Sequence, residues 1–224
     1  MISLYRQTGV HVIFDRHSTK ERPMVTLARH SAFLLLLALT AGLLPTVLGA
    51  APTRYQLDAK ASRVGFSFVL GGAAQKGTMP VSKAVILVDP DNLAASRVDI
   101  SVDVAAVRTP LPFARVALIG PDVLDVARYP TIRFVSTKVT LAADGRLSGG
   151  AKITGKLTMR GVTRPVTLDA SLFRAPGSAP DDLSNLTVQL QGQINRSDFG
   201  ATGFGDLVAD GVGLNIMAVI RIAR

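Results

Sequence analysis

From Tyr55 onward polar and apolar residues alternate, the period of half-buried β-strands rather than of helices. The clearest run is Arg97 to Val104. There Val98, Ile100, Val102 and Val104 share one face and Arg97, Asp99, Ser101 and Asp103 the other, because successive strand side chains point to opposite sides. The same rule groups Val64, Phe66, Phe68 and Leu70, then Ile153, Leu157 and Met159, then Val166, Leu168, Ala170 and Leu172. Leu186, Val188, Leu190 and Ile194 alternate with glutamines and Thr187, and Leu214, Ile216, Ala218, Ile220 and Ile222 share a last face. Turn residues separate the runs at Asp89-Pro90-Asp91-Asn92, Asp144-Gly145 and Arg160 to Pro165. The pattern predicts about eight or nine strands joined mostly by hairpins.

Thr109 to Arg128 breaks the alternation. Pro110 and Pro112 precede Phe113 to Ile119, and Pro121-Asp122 opens Val123 to Ala127, so two short helical pieces are expected there, with Pro121 in a first turn. They would lie as a lid across one end of the sheet. Long strands with one apolar face bury it by packing two sheets or by closing one into a barrel, and closure removes exposed edges. The fold class expected is therefore all-β: a closed antiparallel up-and-down barrel of about eight strands, with a short helical lid segment around 110–128. Such a barrel is either filled by its own side chains or holds one small ligand. Alternation alone does not decide between the two.

The N-terminal region organises differently. Ser31 to Ala51 carries no charge, Ala32 to Leu48 forms an apolar run behind Arg29 and His30, and Val47 to Ala51 offers small residues for cleavage. Residues 1–51 therefore read as an N-terminal extension and signal peptide, with an h-region at 32–48 and cleavage near Ala50. Met24 is the expected true start, since Met24 to Ser31 makes an ordinary beginning. The barrel domain is expected over 52–224, in the periplasm or secreted.

Beyond Ala51 the chain has 20 Lys and Arg against 14 Asp, a net charge of +6, scattered rather than clustered. With no Trp and few rings to stack on, a nucleic-acid partner is not expected. A transmembrane barrel would also alternate, but its aromatic girdles are missing. The same region lacks His, Cys and Glu. That removes the common neutral-pH acid–base, the usual zinc ligands and any disulfide, so no catalytic residue, no metal site and no cofactor is expected. Asp-based chemistry at Asp198 beside Arg196, or at Asp125 near Tyr129, is the remaining enzymatic alternative. Turn carboxylates that bond backbone N–H groups account for both more simply.

Four stretches resemble the YceI-like family: Tyr55-Gln56-Leu57-Asp58 through Ser62, Val64 and Phe66; Asp122 to Asp125 leading into Tyr129 to Thr137; Gly155 to Thr158 through Gly161 to Val166; and Ile194 to Gly200 before the last strand. The resemblance implies a lipocalin-like barrel that binds a polyisoprenoid in an elongated apolar tunnel. This chain departs from the family pattern in having Tyr55 where many relatives have Trp. In Ala114 to Leu118 the family's polar residues are mostly replaced by apolar ones.

The function expected is that of an exported binding protein holding an isoprenoid, polyprenyl or quinone-type, for transport, storage or sequestration. The alternative is a structural barrel with a filled core. The partner would be that lipid or another long apolar molecule, with transient membrane contact and dimer formation both compatible. Expected contacts are Phe66, Phe68, Val98, Ile100, Val102, Phe113, Leu118, Phe134, Leu157, Leu168, Leu190 and Ile216.

Overall fold

A computed structural model of the chain describes residues 51–89, 92–142, 149–179 and 182–223. The expected signal peptide with its h-region, and the expected turns at Pro90-Asp91 and Asp144-Gly145, lie outside the described residues. Ten strand segments form one antiparallel sheet: β1 (Thr53–Leu57), β2 (Arg63–Leu70), β3 (Ala73–Met79), β4 (Val81–Val88), β5 (Arg97–Asp103), β6 (Thr131–Leu141), β7 (Ala151–Met159), β8 (Val162–Arg174), β9 (Asn185–Asn195) and β10 (Gly211–Ile222). A single α-helix, α1 (Pro112–Ile119), is found among the described residues.

The ten segments make eight barrel strands. β1 and β2 lie end to end along one edge of β10, which pairs Ile220 with Leu57 and Ile216 with Val64. β3 and β4 likewise run on from one another, facing β2 and β1. Since β10 also pairs β9, the sheet closes on itself as an up-and-down barrel of eight strands. The first break is a bulge at Asp58–Ser62. There the Ser62 hydroxyl accepts the Val219 N–H (2.9 Å) in place of a ladder carbonyl, and the Asp58 carboxylate accepts from the backbone of Lys60 and Ala61. The second break is Pro80, which has no N–H to give a ladder and leaves its carbonyl to Asp103 N.

Polar residues face outward in cross-strand pairs. Arg133 grips Asp99 with two hydrogen bonds of 2.8 and 2.7 Å, and Thr154 and Thr158 bond Thr167 and Thr163. The apolar faces point inward, which is the opposite of a lipid-facing barrel.

The expected second helical piece is absent. α1 stops at Gly120, whose backbone is extended, and the chain then folds back on it: Leu124 N bonds Leu118 O, Asp125 N bonds Gly120 O and Val126 N bonds Ile119 O. Asp125 has φ of 48°, which no α-helix accommodates, and the Arg160 guanidinium takes the carbonyls of Pro121 and Val123 (2.6 and 2.9 Å). Residues 121–128 are thus a chain of turns. Pro121 opens a turn, not a helix.

Candidate functional site: an apolar cavity along the barrel

The barrel is hollow. A cavity of about 500 Å³, in the range of small-molecule sites, runs from Leu93, Leu141 and Leu172 at one end to Phe113, Phe204 and Leu207 at the other. In a filled β-core the inward residues would be shut off from solvent. Here Val64, Phe66, Val98, Ile100, Phe134, Leu190 and Ile216 all point inward and remain only half-buried.

Two glycines help keep it open. A Cβ on Gly77 would lie 2.2 Å from the Phe66 ring, and one on Gly155 would lie 2.4 Å from the Phe134 ring. Each ring lies down on the wall over a neighbouring strand's glycine instead of projecting to the axis. Phe66 also stacks on Phe68, with centroids 6.1 Å apart.

All twelve residues singled out from the sequence stand on this wall. The helix contributes Phe113, Ala114, Ala117 and Leu118, so α1 does cover the mouth of that end. Sequence reasoning missed Ala201, Gly203, Phe204, Leu207 and Val208, which line the same end from the 196–210 loop. That loop has no alternation to reveal which side chains point inward. Toward the other end Tyr55, Ile86, Leu186 and Ile220 form a second buried cluster. Burial pushes the Tyr55 phenol above its ordinary pKa, and its hydroxyl donates to Leu183 O at 2.7 Å.

Arg196 organises the loop-built end. It stands in a 3-10 turn (Arg196–Phe199) and is 7% exposed. Its guanidinium donates to four main-chain carbonyls: Ala201 (2.6 Å), Gly203 (2.7 Å), Val208 (3.0 Å) and Ala209 (3.3 Å). Gly200, at φ of 73°, turns the chain so that those carbonyls converge. Phe199, 2% exposed, packs into the core beside the seam where the ladder between β8 and β9 stops at Asp169 and Gln191.

Neither carboxylate suggested for catalysis is set up for it. Arg196 bonds carbonyls rather than Asp198, whose backbone oxygen receives Arg164 Nε. Asp125 is buried in a turn with Arg128 at 3.8 Å, and its backbone carbonyl caps Tyr129 N. Apart from Ser62, Ser96 and Arg196, every described residue on the cavity wall is apolar or glycine. Such a site can exclude water and hold a chain by contact.

The family model for the YceI-like domain matches residues 55–220, almost the whole barrel. The chain belongs to the YceI-like family. Among curated relatives, a UPF0312 protein of Pseudomonas putida is 31% identical over 149 residues, covering 66% of this chain and 72% of the relative. Protein YceI of Salmonella arizonae is 30% identical over 165 residues, 72% of this chain and 83% of its own. Among solved structures, Burkholderia cenocepacia BcnA matches with a TM-score of 0.62 at 24% identity, over 73% of this chain and 99% of that one. A polyisoprenoid binding domain from Saccharophagus degradans matches with a TM-score of 0.55 at 15% identity, over 76% and 99%. At those identities the two structures bear on the fold of this YceI-like chain, which they share.

Proposed function

We propose that this YceI-like barrel is an exported binding protein that takes up the apolar chain of an isoprenoid, polyprenyl or quinone-type, for transport, storage or sequestration in the periplasm or outside the cell. The observation that carries the reading is the continuous apolar cavity. Burying apolar surface is worth about 25 cal/mol per Å², so a long hydrocarbon could be held there with few polar contacts. The Saccharophagus degradans neighbour, a polyisoprenoid binding domain of the same fold, supports the choice of chain. The apolar run before Pro52 supports export.

A route for loading is part of the proposal. Phe113 (62% exposed), Val116, Phe204 and Leu207 (59%) are the exposed apolar residues of α1 and the adjoining loop. Three of them also line the cavity. Transient contact of this end with a bilayer would let a chain slide inward without crossing water.

Native mass spectrometry of the protein expressed with its leader, followed by organic extraction of the same sample, tests the reading. A stoichiometric adduct of isoprenoid mass is expected. A bare protein mass that also takes up no added prenyl alcohol or quinone would overturn it.

A further inference from the structure

Between β8 and β9 the barrel wall parts. The two strands pair from Arg174 and Leu186 as far as Asp169 and Gln191, and there the ladder stops, although β8 runs back to Val162 and β9 on to Asn195. Pro165 supplies the reason. β7 and β8 are joined by a two-residue turn, Arg160 and Gly161, both at positive φ, with Met159 paired to Val162. An antiparallel strand bonds its two neighbours alternately, so counting from that turn Val162, Arg164, Val166 and Leu168 bond β7, and Thr163, Pro165 and Thr167 present their backbones to β9. Pro165 has no N–H to give. The gap is a polar groove lined by Arg164, Thr167, Gln193 and Asn195. Val166 and Ile194 line both this groove and the apolar cavity, so one layer of side chains separates the two. Phe199 packs beside that layer in the core. Among the described residues a single side-chain hydrogen bond crosses the gap, from Arg164 Nε on β8 to Asp198 O just past β9 (3.2 Å).

We infer that this seam is a side port: the β8 and β9 backbones separate at Val166 and Ile194, and an apolar occupant of the cavity enters and leaves sideways through the gap. Parting a fully laddered pair, such as β7 and β8 or β9 and β10, breaks a run of backbone bonds. Here the ladder has already ended, and one exposed arginine ties the two sides. Opening is concentrated where the fewest bonds are lost. The groove lies at the end of the barrel built by α1 and the 196–210 loop, so a chain that meets that end has a lateral slit to pass through. α1, which buries Ala114, stays in place during passage. The inference rests on the reading of the cavity as a binding site and concerns how its occupant exchanges.

The chain has no cysteine, so an engineered pair gives a single crosslink. Thr167→Cys with Gln193→Cys occupies the next positions in register beyond Asp169 and Gln191, on the groove and not on the cavity wall. Stopped-flow fluorescence follows uptake of retinol, an isoprenoid alcohol, and its release to phosphatidylcholine vesicles, before and after oxidation of the pair. The crosslinked form is expected to load and release retinol about tenfold more slowly with its equilibrium affinity unchanged, and to regain the wild-type rates on reduction. Unchanged rates in the crosslinked form overturn the inference and leave the binding reading standing. Slower loading with release unaffected also overturns it, because a port alters both rates by the same factor. Retinol uptake by no form overturns the binding reading and the inference together. Arg164→Ala, at an exposed position, removes the tie without a crosslink and is expected to speed loading and release alike by a few-fold. Rates equal to those of the wild type in that variant count against the port.

Discussion

The barrel wall and the loop-built end achieve closure by different means. Along most of the wall strands are held by ladders on both sides, as β7 is by β6 and β8, and stability is spread over many equivalent bonds. At the end formed by residues 196–210 there is no such redundancy: one guanidinium gathers four carbonyls, and one buried phenylalanine packs beside the seam that β8 and β9 leave open. The wall faces a void with many half-buried side chains, whereas Arg196 and Phe199 are 7% and 2% exposed. A wall residue is therefore more replaceable than its position in the sheet suggests, and the end is less so.

The sharpest way to break this contrast is to remove Arg196. Arg196→Ala strands four carbonyls and is expected to cost about 3 kcal/mol or more, since each unmet buried group carries its own desolvation penalty. Phe199→Ala should fall in the range of about 3–5 kcal/mol for a buried aromatic. Thermal unfolding followed by circular dichroism measures both. If either variant melts within a degree or two of wild type, the end is not held as described.

The comparison sharpens when one substitution is placed on two sites. Leu186 is 2% exposed in the second buried cluster, whereas Leu190, four residues along the same strand, is half-buried against the cavity. Leu186→Ala should cost about 3–4 kcal/mol and Leu190→Ala about half that, because a side chain beside a void has fewer contacts to lose. Equal losses would mean that the interior is filled in solution. In the apo protein, Gly77→Ala tests the same wall from the other side. The added methyl meets the Phe66 ring and must push it toward the axis, costing about 1–2 kcal/mol. It should weaken chain binding more than stability.

What could be read in advance follows the same division. Period-two alternation placed Val98, Ile100, Leu157, Leu168, Leu190 and Ile216 on one continuous inner face because a strand's geometry leaves no other choice. Hollowness was not legible: it depends on Phe66 and Phe134 lying over Gly77 and Gly155, and that pairing is set by register between strands. The extra helical piece at 121–128 was expected from Pro121 and a run of Val, Leu and Ala, yet the long-range hold of Arg160 on two carbonyls overrode that local preference. Arg196 entered the sequence reading only as the neighbour of Asp198, for the same reason. Its partners lie five to thirteen residues away in a loop without periodicity.

The smallest expected effect lies on the outer wall, where Asp99 and Arg133 pair across β5 and β6. The hydrogen bonds from Arg133, with its charge, hold the Asp99 carboxyl below its ordinary value, despite the opposing effect of partial burial. A carboxyl depressed in the folded state stabilises it fully above the unfolded value, about 3.9 for Asp, and loses that contribution as pH falls through the folded value. Melting temperature should accordingly decline below about pH 4. In Asp99→Asn that acid-side decline should be slightly shallower, with little change at neutral pH because a solvent-exposed pair is well screened. Were Asp99→Asn to destabilise the protein strongly at pH 7, the wall would depend on a single polar contact just as the loop-built end does, and the distinction between the two regions would fail.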